Sequence, residues 1–412
     1  MTKNRLLELG SMTTQVAAKE LENLTLGLFS SPDEKRKRNE DTQAKIAEII
    51  FSKLSNLKGT GLKLLQALSL DEDLLPQPYV KKFEQTYGSI SPLSKPIVKK
   101  VFKIEVGSAP EDVFAEFDYN AMAAASLGQV HKAKLKTGED VIVKIQYPNV
   151  AENISTDLAF IQSIAKAVGN PLIRSTITEL SVSLRSEIDY NLEAENLKLF
   201  SSLEKPEGIV IPHLYPEFST QKVLVLSRIE GEPLNTVSTQ SLRDLALQRT
   251  FKFFFMSLSK GRCVHADPHP GNILVSNGHT GVVDFGSVKK DLPQEVVELF
   301  LLLCDSGADT NRIVEIYESL GAKIPNGTNE FYAKHVQTYH QLCSSLVGKE
   351  SVDFSTQRET VAKMRRTLFA QSSESTLQNF SSEFTILHKS FQSLLFLLCK
   401  YQATINTKVP GQ

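Results

Sequence analysis

Hydrophobic positions change their period several times along the chain, and the changes mark out its elements. From Asp41 onward, Ile46, Ile50, Leu54, Leu57, Leu64 and Leu68 recur at spacings of three, four and seven, the period of a helix with one buried stripe. Gly59, Lys63 and Gln66 fall at i, i+4 and i+7 on a face turned away from that stripe. A polar second face with a glycine in it suits close approach of another element. Residues 1–40 precede this helix as a leucine-containing segment and a solvated connector, in which Lys35-Arg36-Lys37-Arg38 is flanked by Asp33, Glu34, Glu40 and Asp41. Alternation takes over around Val130 and from Val141 to Ile145, with Lys136-Thr137-Gly138-Glu139 between them, which predicts a β-hairpin. Helical spacing returns over 151–168 and 177–200, where Leu180, Leu184, Ile188 and Leu192 step by four. The stretch "KVLVLSRIEGEPL" (222–234) reads as a strand running into a Gly/Pro loop. "LRDLALQRTFKFFFMSLSKG" reads as a buried helix with Gly261 as its C-cap. "ILVSNGHTGVVDFGS" reads as two short strands joined at Asn277-Gly278, and residues 291–403 as helices.

Composition narrows the function classes. With 46 Lys+Arg against 47 Asp+Glu in 412 residues, no bulk positive charge argues for a nucleic-acid partner. Cys263, Cys304, Cys343 and Cys399 are far apart and form no C-x-x-C pair, which fits free thiols in a reducing compartment. No apolar h-region opens the chain, and no apolar run reaches the ~18 residues a membrane span needs. The expectation is therefore a cytoplasmic protein whose membrane contact, if any, is peripheral.

Candidate chemistry concentrates in "CVHADPHPGNILV" (263–275). His265, Asp267 and His269 at alternate positions have the side chains of a zinc or iron site, but the residues downstream point elsewhere. The loop reads H-x-D-x-x-x-x-N, and twelve residues after Asn272 comes Asp284-Phe285-Gly286 at the end of a β-branched run. These are the spacings of a kinase catalytic loop and its D-F-G. That chemistry places Asp267 near the attacking hydroxyl or water, and Asn272 and Asp284 as oxygen ligands for magnesium. The lysine that reaches the nucleotide phosphates is then Lys144, in "VIVK", and its glutamate partner is Glu193 in "EIDYNLEAEN", with Asp189 one turn earlier. In the loop that would cover the phosphates, Gly128 stands at the third glycine of G-x-G-x-x-G-x-V and Val130 at its valine, but Ala123 and Ala125 occupy the first two glycine positions. Alanine disfavours positive φ and adds a Cβ where amides approach phosphate, so nucleotide is expected in an altered pose.

Taken together, "AAASLGQVHKA", "VIVKIQYP", "EIDYNLEAEN", "HADPHPGN" and "VVDFGS" resemble the UbiB/AarF family of atypical kinases, strongly over roughly residues 45–300. The resemblance implies an α+β, protein-kinase-like bilobal fold with a β-rich N-lobe, a helical C-lobe and a helical N-terminal extension. The expected organisation is a helical and linker segment at 1–40, the extension at 41–105, an N-lobe at 106–231 and a C-lobe with extra helices at 232–412. It further implies a K-x-G-Q motif in the extension, folded over the active site. Lys63 and Gln66 match it, with Leu65 at the glycine position. Glu187 and Asp189 match the family's E-x-D pair, expected near Lys63 and the nucleotide. Ala123, Ala125, Ser126, Gly128 and Val130 line the nucleotide site by the same resemblance. The implied cofactors are ATP or ADP with Mg2+. The implied activity is that of an ATPase or small-molecule kinase supporting ubiquinone biosynthesis or other isoprenoid lipid metabolism, with a lipid-soluble small molecule as partner. The competing class is a nucleotide-binding pseudoenzyme or chaperone-like module, and steady-state ATP turnover separates the two. A metalloprotein built on His265 and His269 ranks third.

Overall fold

A computed structural model describes residues 92–125, 127–148, 150, 154–155, 158, 188–324, 327–372 and 380–409. The expected helix over 41–68, all of that over 151–168 except 154–155 and 158, the first half of that over 177–200, and residues Lys63, Gln66, Ser126 and Glu187 lie outside them. Along the chain, helix α1 (Lys95–Val106) is followed by strands β1 (Phe114–Phe117), β2 (Ala123–Ala125), β3 (Gly128–Leu135) and β4 (Asp140–Gln146). Next come helix α2 (Tyr190–Ser202) and strands β5 (Ile209–Val210), β6 (Val223–Ser227) and β7 (Glu232–Pro233). Helix α3 (Gln240–Gly261) leads into short strands β8 (Val264–His265), β9 (Ile273–Val275), β10 (Thr280–Val282) and β11 (Val288–Lys289). Helices α4 (Gln294–Cys304), α5 (Thr310–Ser319), α6 (Gln337–Leu346), α7 (Arg358–Ser372) and α8 (Ser382–Lys400) come after these, with β12 (Val352–Asp353) and β13 (Thr404–Ile405) as a small pair.

The chain divides into two compact units. Among the described residues, one comprises those up to Leu192 together with Tyr215–Ser227, and the other those of Glu193–Leu214 and from Arg228 onward. In the first, β1, β3, β4 and β6 form an antiparallel sheet with β2 paired to β3. The predicted hairpin is β3–β4, turning over residues 136–139. Side chains alternate across this sheet. Val141, Val143 and Ile145 join Val223 and Val225 on the face that packs against Val98 and Phe102 of α1. Burying Phe102 fully stabilises by about 1.5–3 kcal/mol and fixes α1 on that face. Pro96 starts α1, and Gly107, at φ +85°, ends it by donating its N–H to the Lys103 carbonyl at 3.0 Å.

The second unit is mainly helical, with a four-stranded sheet in the order β5-β10-β9-β7 and the pair β8–β11. Its core is built on the phenylalanines of α3. Phe251, Phe254 and Phe255 pack with Phe300 of α4 and Phe391 of α8. Helix α3 does not end as its sequence suggests, because the left-handed C-cap is Arg262, at φ +47°, and Gly261 remains helical. The glycine meets a packing demand instead: a Cβ there would lie 2.6 Å from Leu203 Cδ1. A β-rich N-terminal part followed by a helical C-terminal part is the kinase-like arrangement expected from the motifs. Among the described residues, no helix is long and apolar enough to cross a membrane.

Candidate functional site

Asp267, Asn272 and Asp284 are brought together in the second unit by strand pairing. Residue Val282 of β10 is in register with Ile273 of β9, and one step beyond that pair the Val283 N–H donates to the Asn272 carbonyl at 3.0 Å. Asp284 is the next residue. Asn272 Nδ2 donates to Asp267 Oδ2 at 3.1 Å and to the Asp267 carbonyl at 3.3 Å, so the amide fixes the loop's own aspartate. With its NH2 group turned to Asp267, the Asn272 carboxamide directs Oδ1 the other way. On the opposite side of the loop, β8 pairs with β11, and the Ala266 N–H donates to the Ser287 carbonyl at 2.9 Å. The H-x-D loop and the D-F-G segment are thereby held as one piece. All three residues are half-buried.

The two histidines of the loop are engaged within the fold. His265 Nε2 lies 2.8 Å from the Asp284 carbonyl. A carbonyl only accepts, so Nε2 carries the proton. His269 Nδ1 accepts from the Gly271 N–H at 3.1 Å and caps the 3-10 turn Pro270–Asn272. Among the described residues no three His, Cys, Asp or Glu side chains converge as a metal site. The pairing of these two rings gives the alternate-histidine metal reading no geometric support. Asn272 and Asp284 instead offer a carboxamide and a carboxylate oxygen, the hard donor set that suits magnesium.

In the first unit, cross-strand register collects another group of the predicted residues. Val130 pairs with Lys144, Ala123 with Val130, and Lys144 with Leu224. Directly paired residues share a face, so Ala123, Val130, Lys144 and Leu224 form one row across the sheet, on the side opposite α1. Leu224 belongs to this row although no motif points to it; the alternation in "VLVL" is the signal that carries it. Gly128 stands opposite Gln146, and its missing side chain answers a contact inside the sheet: a Cβ would sit 2.4 Å from the Ile145 carbonyl oxygen. Backbone pairing places Ala125 opposite Gly128. Asp189 lies just before α2, where its carboxylate accepts from the Asn191 N–H at 3.0 Å and from Gln221 Nε2 at 3.3 Å.

Glu193, in α2, is 4% exposed and belongs to the second unit, while Lys144 belongs to the first. Asn196, one turn after Glu193, is a buried residue that no motif of the sequence marks, and its Nδ2 donates to the Phe285 carbonyl at 2.9 Å.

Comparison with known proteins decides the family. Residues 87–317 match the ABC1 atypical kinase-like domain. The chain belongs to that family, the UbiB/AarF group of kinase-like proteins. Among the relatives of this ABC1-type chain, an uncharacterized protein in the hydrogenase 1 5' region of Clostridium pasteurianum is 30% identical over 68% of the chain and 55% of its own length. Protein ACTIVITY OF BC1 COMPLEX KINASE 8, chloroplastic, of Arabidopsis thaliana is 30% identical over 68% of the chain and 39% of its own length. The mitochondrial atypical kinase COQ8 of Saccharomyces cerevisiae is 28% identical over 85% of the chain and 72% of its own length. The chain thus spans about half or less of the first two. The solved structure of the Rv3197–erythromycin complex from Mycobacterium tuberculosis shares the fold, with a TM-score of 0.59 and 24% identity over 90% of this chain and 96% of that one.

Proposed function

We propose that this ABC1-type protein binds an adenine nucleotide with magnesium and acts as an ATPase or atypical small-molecule kinase, supporting ubiquinone or other isoprenoid lipid metabolism. The observation that supports the reading is the junction of Asp267, Asn272 and Asp284, which strand pairing and the Asn272–Asp267 hydrogen bond hold in one loop system. Asn272 and Asp284 would hold magnesium, which would supply charge neutralisation of the phosphates. Asp267 is oriented by the Asn272 amide and acts on the proton of the attacking hydroxyl or water. Lys144 is assigned to the phosphates, with Glu193 as its ion-pair partner. Val130, together with Ala123, Ala125, Ser126 and Gly128, is assigned to the nucleotide-covering wall. Lys63 and Gln66, with Glu187 and Asp189, are assigned to the family-specific cover that restrains transfer to protein substrates. On this reading 1–40 and 41–105 form the connector and that cover, with lobes at 106–231 and 232–412. The acceptor is proposed to be an amphiphilic, lipid-soluble molecule reached by peripheral contact with a membrane.

Alanine at positions 123 and 125, where a protein kinase has glycine, favours the second reading of a nucleotide-binding pseudoenzyme or chaperone-like module. Steady-state ATP turnover with magnesium, with and without liposomes carrying an amphiphilic phenol, tests the proposal. Turnover that Asp267→Asn abolishes supports an enzyme. Tight nucleotide binding with no turnover in either protein supports the pseudoenzyme. Coupling between Lys144→Met and Glu193→Gln in a double-mutant cycle of nucleotide affinity tests the proposed ion pair, and additive effects would remove it.

A further inference from the structure

Asp284 has φ +66°, a left-handed conformation that residues with a Cβ adopt rarely and that persists only where the surroundings over-determine it. Its side chain contributes locally, with Oδ1 accepting from the Gly286 N–H at 3.3 Å. The firmer hold is on the backbone. Two consecutive carbonyls, of Asp284 and Phe285, are gripped by side chains from different elements: His265 Nε2 donates to the first at 2.8 Å and Asn196 Nδ2 to the second at 2.9 Å. Phe285 is 1% exposed and Asn196 6%, so without this amide the Phe285 carbonyl would lose its donor in a place water does not reach. Ring packing fixes the same segment. Phe285 meets His265 edge-on at 5.2 Å and Phe200 at 5.1 Å, and Phe200 rests on Phe253 at 5.6 Å.

Asn196 stands three residues after Glu193 on α2, and Glu195 between them reaches Lys290 at 3.7 Å. That surface pair is solvent-exposed and adds little. The buried neutral amide adds a directional hydrogen bond to the Phe200–Phe285 packing that also joins α2 to D-F-G.

We propose that Asn196 is a positioning residue: its amide holds the Phe285 carbonyl, keeps Asp284 in the left-handed pose, and couples the setting of Asp284 to the helix that carries Glu193. The consequence for function rests on the magnesium–nucleotide reading of the site, whereas the grip itself does not. Nothing in phosphoryl transfer touches Asn196. It acts only through Asp284, so its loss should change metal dependence more than nucleotide recognition.

Two variants of the full chain test this. Asn196→Asp keeps the size and replaces the donor with an oxygen that repels the carbonyl, and Asn196→Leu removes the polar group altogether. In nucleotide-free protein, backbone hydrogen exchange over residues 283–289 should accelerate about tenfold in both, the equivalent of one buried hydrogen bond. The magnesium concentration that half-saturates ATP-induced stabilisation should rise by about tenfold for the same reason, while ATP binding in EDTA stays within about twofold. Exchange within about twofold of the parent in both variants overturns the grip. Accelerated exchange with an unchanged magnesium midpoint overturns the positioning role. A parent that shows no magnesium-dependent stabilisation removes the nucleotide reading and the positioning role with it, and the exchange data then decide the grip alone.

Discussion

Gly128 offers a test in which packing and ligand contact predict different results. It opens β3 directly opposite Gln146 of β4. A Cβ at this position would lie 2.4 Å from the Ile145 carbonyl oxygen, 3.0 Å from its carbon and 3.1 Å from Gln146 Cα. All three are backbone atoms, so no side chain can swing aside, and β3 must move outward by about 0.6 Å to bring the shortest contact to 3.0 Å. A shift of that size takes a ladder hydrogen bond from its usual length to the edge of the accepted range. Weakening the Tyr147 N–H to Leu127 carbonyl bond and the Gln129–Ile145 pairing, which flank Gly128 on either side, costs about 1 kcal/mol each, and residual overpacking adds about 1–2 kcal/mol. Gly128→Ala is therefore expected to destabilise by about 3–4 kcal/mol, lowering the melting temperature by roughly 6–16 °C for a unit of this size. The assay is thermal unfolding of the nucleotide-free protein, followed by ATP titration below the transition. If glycine is needed only to let amides approach phosphate, the variant melts with the parent and loses affinity alone. A melting temperature within about 1 °C of the parent would refute the packing argument.

Three further outcomes are expected. His388 is fully buried in α8, with Tyr339 OH against Nδ1 and no partner for Nε2 among the described residues. Burial pushes its pKa down to about 3. The unfolded chain then binds the extra proton first as pH falls below about 6.5, so stability is lost on acidification by about 1.4 kcal/mol per pH unit, or roughly 2 kcal/mol by pH 5. Urea melts of the parent and His388→Leu from pH 7 to 5 check this; equal slopes would show that the histidine is not the sensor. Replacing Ala125 with glycine, or Lys63 with alanine, should shift ATP/ADP preference and release autophosphorylation; radiolabel incorporation and affinities matching the parent in both variants would return those positions to packing roles. Gly261→Ala should destabilise by about 0–2 kcal/mol in thermal unfolding, overpacking of about 1–3 kcal/mol against the Leu203 side-chain tip being offset by about 1 kcal/mol of helix propensity; a variant that melts above the parent would remove the packing role.

What could be read from the sequence was what local chemistry dictates. Alternation with Lys136-Thr137-Gly138-Glu139 located β3 and β4, because a strand period and a turn are written in adjacent residues. Asn277-Gly278 likewise located the turn between β9 and β10, and fixed spacing placed Asp267, Asn272 and Asp284 in one loop system. Gly261 misled, since glycine serves either backbone conformation or close packing, and only the position of Leu203 distinguishes them. Asn196 was illegible for a related reason. Its partner carbonyl is 89 residues away, and an asparagine on a helix looks the same in sequence whether it faces solvent or a buried peptide. The chain Leu93 N–H to Gln129 Oε1, Gln129 Nε2 to His131 Nε2, and His131 Nδ1 to the Asp118 carbonyl was hidden in the same way, although both side chains lie within "AAASLGQVHKA". Burial lowers the His131 pKa, in keeping with a ring that accepts at one nitrogen and donates at the other.

Whether Asp284 holds magnesium against the nucleotide is tested most sharply by nucleotide-induced thermal stabilisation of the parent and Asp284→Asn, with ATP in magnesium and in EDTA. Asparagine tolerates the left-handed conformation of Asp284, so the substitution removes a charged metal ligand while leaving the backbone pose accessible. The parent should show a larger shift with magnesium than with EDTA, and the variant should lose that metal-dependent increment. Equal stabilisation of both proteins by ATP and magnesium would contradict that role for Asp284.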